Sequence, residues 1–166
     1  MKRPSFARWP CSIARTVDLL GDSWTPLVLR EAFYGIRRFD EFQLELGIAR
    51  NTLSDRLRKL VEEGLLQRQR YEDEPPRHEY VLTEKGHEIY GVLAAMSRWG
   101  DRWLADEDGP PITMRHDPCG HDTYAEVVCA HCHEPLKSED VSRRMGPGYP
   151  ERLKTHPSVL RRFSSS

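Results

Sequence analysis

Leu53, Leu57 and Leu60 recur at intervals of four and three in IARNTLSDRLRKLVEEGLL, residues 48–66. On a helix of about 3.6 residues per turn they share one face, with Val61 at its margin. Asn51, Asp55 and Arg58 fall opposite. Ser54 takes one flank, and Thr52 and Lys59 the other. A stripe of this kind has to be covered, so the helix must belong to a packed domain rather than stand alone. At 166 residues and 38 % hydrophobic, the chain can supply one core of moderate size and a small appendage. The polar face opposite the leucines is rich in Arg, Asn, Ser and Thr, side chains that pair with base edges and phosphates.

The charge is unevenly spread. The net charge is −1, yet residues 1–70 carry 13 basic and 9 acidic side chains, a net of +4. Residues 71–118 carry 5 and 11, a net of −6. The basic excess therefore coincides with the leucine-striped helix. The N-terminal MKRPSFARWPCS lacks the apolar run of a secretory signal. No stretch approaches the roughly 20 apolar residues of a membrane helix. A cytoplasmic protein with reduced thiols is expected.

Around the striped helix the sequence predicts a definite order. Ser12 to Leu20 carries Ile13, Val17 and Leu20 at helical spacing. TPLVLREAFYG reads as a mostly buried helix that starts beside Pro26 and stops at Gly35. RRFDEFQLEL is a third helix, and a tight Gly47 turn leads into the fourth, about Arg50 to Glu63, closed by Gly64. A hairpin over about 65–72 and 78–82 follows, with the Pro-rich cluster DEPP at its tip. Thr83 caps a long helix to about Trp103, with Ile89, Leu93, Met96, Trp99 and Trp103 as a candidate dimer face. ADEDGPP (105–111) reads as a linker, 112–140 as a small module, and 141–166 as an irregular tail.

Helix, tight turn, helix and hairpin is an order with a physical use. A helix fits the major groove, and a basic hairpin lies along the adjoining groove or backbone. Arg50, Asn51, Thr52, Ser54 and Arg58 are the candidates for bases or nearby phosphates. Arg38, Arg56 and Lys59 are candidates for the backbone. CSIARTVDLLGDSWTPLVLREAFYGIRRFDEF, ARNTLSDRLRKLVEEGLLQRQ and EPPRHEYVLTEKG together resemble the HxlR-type winged-helix transcription regulators of bacteria, relatives of the MarR group. The resemblance spans roughly residues 9–103. It implies a homodimer, one helix-turn-helix and one wing per subunit, and a roughly palindromic duplex DNA operator. Carried onto this chain it makes Arg50 to Arg58 the recognition helix and puts Arg77 on the wing. Trp24 and Arg38 match the family's W and R-F positions. Two departures stand out. Ala49 occupies the N-cap where the family often has Ser, and Glu72, Asp73 and Glu74 make the wing acidic, leaving Arg77 as the expected cation at its tip.

The cysteines form two separate problems. Cys11 stands alone before the first helix, where unpaired amides and Arg15 favour its thiolate. The resemblance adds that some HxlR-type regulators sense oxidants or electrophiles through a cysteine at this place. His116 and Cys119 are separated by two residues, and so are Cys129 and Cys132, nine residues further on. Two such knuckles suit a closed, structural Zn²⁺ site, with His121 as the alternative fourth ligand. His131 and His133 fit less well. No phosphate-cradling loop, paired catalytic carboxylates or nucleophile elbow points to an enzyme.

The fold expected is mainly α with a small β-hairpin wing, an α+β winged helix-turn-helix over 1–104. It is dimerised through terminal helices and followed by a zinc-ribbon-like module. The function expected is that of a DNA-binding regulator responsive to an oxidant or a small ligand. The alternative is a zinc-containing protein–protein interaction module that uses the winged helix as scaffold.

Overall fold

The computed structural model describes residues 5–72, 74 and 76–163. The chain divides into two compact units, one of Asp22–Glu126 and one that joins the residues up to Gly21 with those from Val127 onward.

The larger unit holds the winged helix. It runs α2 (Thr25–Phe33), α3 (Phe39–Leu46), α4 (Arg50–Glu62), β1 (Leu66–Glu72), β2 (Arg77–Leu82), α5 (Glu84–Glu88), α6 (Tyr90–Trp103), β3 (Met114–His116) and β4 (His121–Thr123). Val28 and Leu29 of α2, Phe42 of α3, Ile48, and Leu53, Leu57 and Leu60 of α4 are buried together with Leu65 and Leu66. Burying each leucine contributes about 1.5–3 kcal/mol, so the stripe that opened the sequence is what fastens α4 to the domain. Gly47 adopts φ +58, the left-handed conformation that lets α3 end and α4 begin three residues later. Gly64 at φ +72 ends α4, with the Leu65 amide donating to the Leu60 carbonyl at 2.9 Å.

β1 and β2 form an antiparallel hairpin in which Leu66 faces Leu82 and Arg70 faces His78, with an irregularity between Arg70 and Glu72. Arg38 bridges to Glu79, and the Tyr80 amide donates to the Arg37 carbonyl at 2.8 Å, so the segment before α3 adds to the hairpin. Thr83 caps α5 as expected, its hydroxyl accepting from the Gly86 amide at 3.0 Å. The same hydroxyl donates to the Gly64 carbonyl at 2.6 Å, which ties α5 to the end of α4. The long helix expected from 83 to 103 is instead two helices that meet at Ile89. The Thr83 corner fixes the first turn against Gly64 and Leu65, and Ala94 of the second helix is buried.

The smaller unit contains α1 (Ser12–Leu20), a 3₁₀ turn at Ser138–Asp140, α7 (Glu151–Lys154) and α8 (Pro157–Phe163). The N-terminal arm is held on α1 by Asp18, which accepts from the Ser5 hydroxyl and the Phe6 amide at 3.0 and 2.9 Å. Trp9 packs edge-on against Phe6. The tail expected to be irregular contains two short helices. Pro157 starts α8, Val159 is buried, and Phe163 packs against Tyr149.

Candidate nucleic-acid interface and cysteine pairs

Arg50, Asn51, Ser54, Asp55 and Arg58 are exposed on α4, opposite the buried leucines. Ala49 gives α4 no side-chain cap, so the first-turn amides beside Arg50 and Asn51 are open to an external acceptor. The Arg50 guanidinium lies over the Phe39 ring at 4.9 Å, and that of Arg38 over the Tyr71 ring at 4.8 Å. Arg38 and Phe39 are consecutive, so the segment that opens α3 stacks with the wing through Arg38 and with the start of α4 through Phe39.

The other candidates have different surroundings. Arg56 turns inward, and its Nε donates to Asp22 Oδ1 at 2.8 Å. It therefore anchors α4 to α2. Asp22 also accepts from the Trp24 and Thr25 amides at 2.9 and 3.0 Å and from Thr25 Oγ1 at 2.5 Å. Burial alone would raise the Asp22 carboxyl, but these hydrogen bonds and the Arg56 charge together hold it below its ordinary value. Thr52 and Lys59 are half-buried on the flank of α4. Arg58 pairs with Asp55 at 2.7 Å and with Glu62 at 3.8 Å, all three exposed, so its guanidinium is tethered only by weak, replaceable contacts.

On the wing, Arg77 Nε meets Glu72 Oε2 at 3.2 Å. It does not stand as the single cation there. Arg68 and Arg70 alternate with Gln67 and Gln69 along β1, all four exposed. Arg68 donates to His78 Nδ1 at 3.0 Å. Partial burial first, then the Arg68 and Arg70 charges, hold the His78 imidazole below its usual value. The Q-R-Q-R alternation was the signal for a cationic strand face. It was obscured by the acidic cluster that follows it.

Met96, Trp99 and Trp103 of α6 are 51 %, 58 % and 63 % exposed, whereas Ile89 and Leu93 are half-buried. On α1, Ile13 and Val17 are exposed as well.

All four cysteines carry free thiols. Cys11 is exposed immediately ahead of α1. His116 Nδ1 lies 3.2 Å from Cys119 Sγ across the turn between β3 and β4, where Gly120 takes φ +70. His121 is opposite His116 in the same hairpin. At the second pair the His131 amide donates to Cys129 Sγ at 3.4 Å. The Cys129 thiol is pulled down by the Cys132 amide first, then by the His131 amide and the Cys132 thiol. His133 takes φ +61, so the backbone curls behind this pair. His116 and Cys119 lie in the larger unit, and Cys129 and Cys132 in the smaller. Among the described residues no group of three or more His, Cys, Asp or Glu is gathered to hold a metal.

The profile of the HxlR-like helix-turn-helix matches residues 19–108. The HTH-type transcriptional regulator Rv3095 of Mycobacterium tuberculosis is 44 % identical over 142 residues, covering 86 % of this chain and 90 % of that protein. The crystal structure of PA1607, a candidate transcription factor, superposes with a TM-score of 0.76 at 34 % identity, over 87 % of this chain and 99 % of its own. The oxidized form of the redox regulator HypR superposes with a TM-score of 0.52 at 31 % identity, over 55 % of this chain and 96 % of its own.

Proposed function

The chain belongs to the HxlR-like helix-turn-helix family of transcriptional regulators, and on that premise we propose that it works in the cytoplasm as a homodimer on a roughly palindromic duplex operator. The observation that carries this reading is the pair of stacks, Arg38 on the wing and Arg50 on the first residue of α3, beside the exposed and uncapped start of α4. Arg50, Asn51, Thr52, Ser54 and Arg58 contact the major groove. Arg38, Lys59, Arg77 and the β1 arginines hold phosphates. The α6 face of Met96, Trp99 and Trp103 joins the subunits, supported by its exposure in a single chain.

Selection of bound duplexes from a random pool tests the reading. An inverted repeat with half-sites about 10 base pairs apart is expected. Weak binding that vanishes with rising salt and enriches nothing sinks it. Arg58→Ala then separates a regulator, which loses affinity for the selected duplex, from a scaffold, which keeps its partner.

Two further parts belong to this proposal. A structural Zn²⁺ is held by His116, Cys119, Cys129 and Cys132, with His121 as the alternative to His116. The paired spacing, the approach of His116 to Cys119 and the hydrogen bonds from Cys132 to Cys129 support it. Metal content of purified protein, wild type against Cys119→Ser, decides it: a full zinc complement in the variant rejects the ligand set. Cys11 is the oxidant-sensing thiol, supported by its exposure at a helix start and by the likeness to a redox regulator. An oxidant response on DNA that survives Cys11→Ser removes it from that role.

A further inference from the structure

α6 presents two different faces. Val92, Trp99 and Trp103 point one way and are exposed, and Met96 reaches the rim of the other face. Tyr90, Ala94, Ser97 and Asp101, at helical spacing on the opposite side, line a cleft of about 1000 Å³. Its second wall is α2, through Leu27, Arg30 and Phe33, and its third is the segment from Pro110 to Ala125. The third wall lies past residue 108, where the match to the family profile ends. The volume is at the upper end of the roughly 300–1,000 Å³ typical of small-molecule sites.

The lining says what such a site would take. Phe33 and Tyr90 stand edge to face at 5.0 Å, and Leu27, Leu93 and Ile112 are apolar, which suits a flat hydrocarbon ring system. Two of the lining arginines have carboxylate partners: Arg30 pairs with Glu31, and Arg115 lies 3.8 Å from Asp122. Arg98 is different. Its guanidinium lies 3.6 Å over the Tyr124 ring, and among the described residues it has no carboxylate partner. A guanidinium beside an aromatic plane offers a planar fork for an acidic group and a surface on which an adjoining ring stacks.

We propose that this cleft is the effector site of the regulator and that its ligand is a flat, largely apolar aromatic molecule with one acidic group, which Arg98 holds. The effector role rests on the regulator reading above. α2 is the physical link. One of its sides lines the cleft, and just ahead of its first turn Asp22 holds Arg56 of the recognition helix. A ligand that displaces α2 therefore moves the anchor of α4.

The test uses two fluorescent probes on the full chain: 8-anilino-1-naphthalenesulfonate and its uncharged analogue N-phenyl-1-naphthylamine. Saturable binding of one dye per subunit is expected. Arg98→Gln weakens the sulfonate about tenfold, as loss of a charge-assisted contact does, and leaves the neutral analogue unchanged. Ser97→Trp, at an exposed position, fills the cleft and abolishes both. Ile112→Trp does so from the opposite wall and serves if Ser97→Trp fails to fold. Absence of saturable binding overturns the site. So does dye binding that is indifferent to these variants but lost in Trp99→Ala, which would locate the dye on the exposed face. If Ser97→Trp prevents dimerisation while leaving the dye bound, a second copy of the chain occupies the cleft and the proposal falls. Saturating sulfonate is expected to change affinity for the selected duplex at least about fivefold. Bound dye with unchanged duplex affinity removes the effector role alone. A chain that binds dye but selects no duplex removes the regulator reading and leaves the pocket standing.

Discussion

Asp22 is a single carboxylate that joins the start of α2 to the middle of α4, through the Trp24 and Thr25 amides, the Thr25 hydroxyl and Arg56. Asp22→Asn keeps the shape and removes the charge. Its folded-state carboxyl lies below the ordinary 3.8, so the charge stabilises the fold fully above that pH, and the contribution is lost as the pH falls through the lower folded value. Thermal unfolding should therefore show Asp22→Asn below wild type near neutrality, with the two melting points converging as acid protonates the wild-type carboxyl. A gap that stays constant into acid would mean that geometry, not charge, is what Asp22 provides. Gly86 is a second such position. A Cβ built there would stand 2.1 Å from the Leu65 carbonyl oxygen, an atom fixed by the Thr83 corner. Gly86→Ala should lower stability by about 1–3 kcal/mol in chemical denaturation, the range for overpacking. Neither role was legible in the sequence. Asp22 could be read as a helix cap from its neighbours, but its bond to Arg56 spans 34 residues and leaves no local trace. Arg56 was accordingly grouped with the phosphate contacts. Gly86 is an ordinary mid-helix glycine until α5 is seen against β1.

At the scale of the element, periodicity was enough wherever one face is buried against one neighbour. The spacing of Leu53, Leu57 and Leu60 gave α4 and its exposed face, and Gly35, Gly47 and Gly64 gave the helix ends, because each of these glycines takes a positive φ. Periodicity did not report the break at Ile89, because the apolar spacing runs on through the residue that separates α5 from α6. On the wing the hairpin itself was legible from its turn cluster, but the cationic face of Arg68 and Arg70 was not, since β1 buries only Leu66 and its alternation is of two polar kinds rather than polar and apolar. α4 also carries two testable departures from an optimal reading helix. Ala49→Ser would supply the missing cap and should raise stability by about 1 kcal/mol. If the open amides bind a phosphate, the same change leaves unfolding improved but duplex affinity flat or reduced. Asp55→Asn would release Arg58 from its nearest partner and take one negative charge off the reading face. Affinity for random duplex at low salt should rise several-fold in a fluorescence titration, while discrimination between the selected site and random DNA falls if Asp55 orients Arg58 for one base.

The whole molecule poses the question of how many heads read the operator at once. Trp99 and Trp103 present large aromatic area to solvent in one chain, on the α6 face opposite the cleft. Replacing both by glutamate puts like charges where two copies would meet, while Leu53, Leu57, Leu60 and the rest of the core, all elsewhere, remain untouched. Sedimentation should then report a monomer with unchanged circular dichroism. The consequence for DNA follows from the arithmetic of linked sites. In a dimer the second half-site binds at an effective concentration that lies in the millimolar range for short connections, so the operator gains affinity that a single head lacks. A monomer should lose that gain on the inverted repeat and bind an isolated half-site as the wild-type head does. The salt slope carries the same information independently, because each phosphate contact adds about 0.9 to the slope of log affinity against log salt concentration. Halving the number of engaged heads should halve the slope. A double variant that is monomeric yet keeps the full slope and affinity would mean that one head makes all the contacts. In that case the exposed tryptophans serve some other association, and the two-fold operator is not how this chain reads DNA.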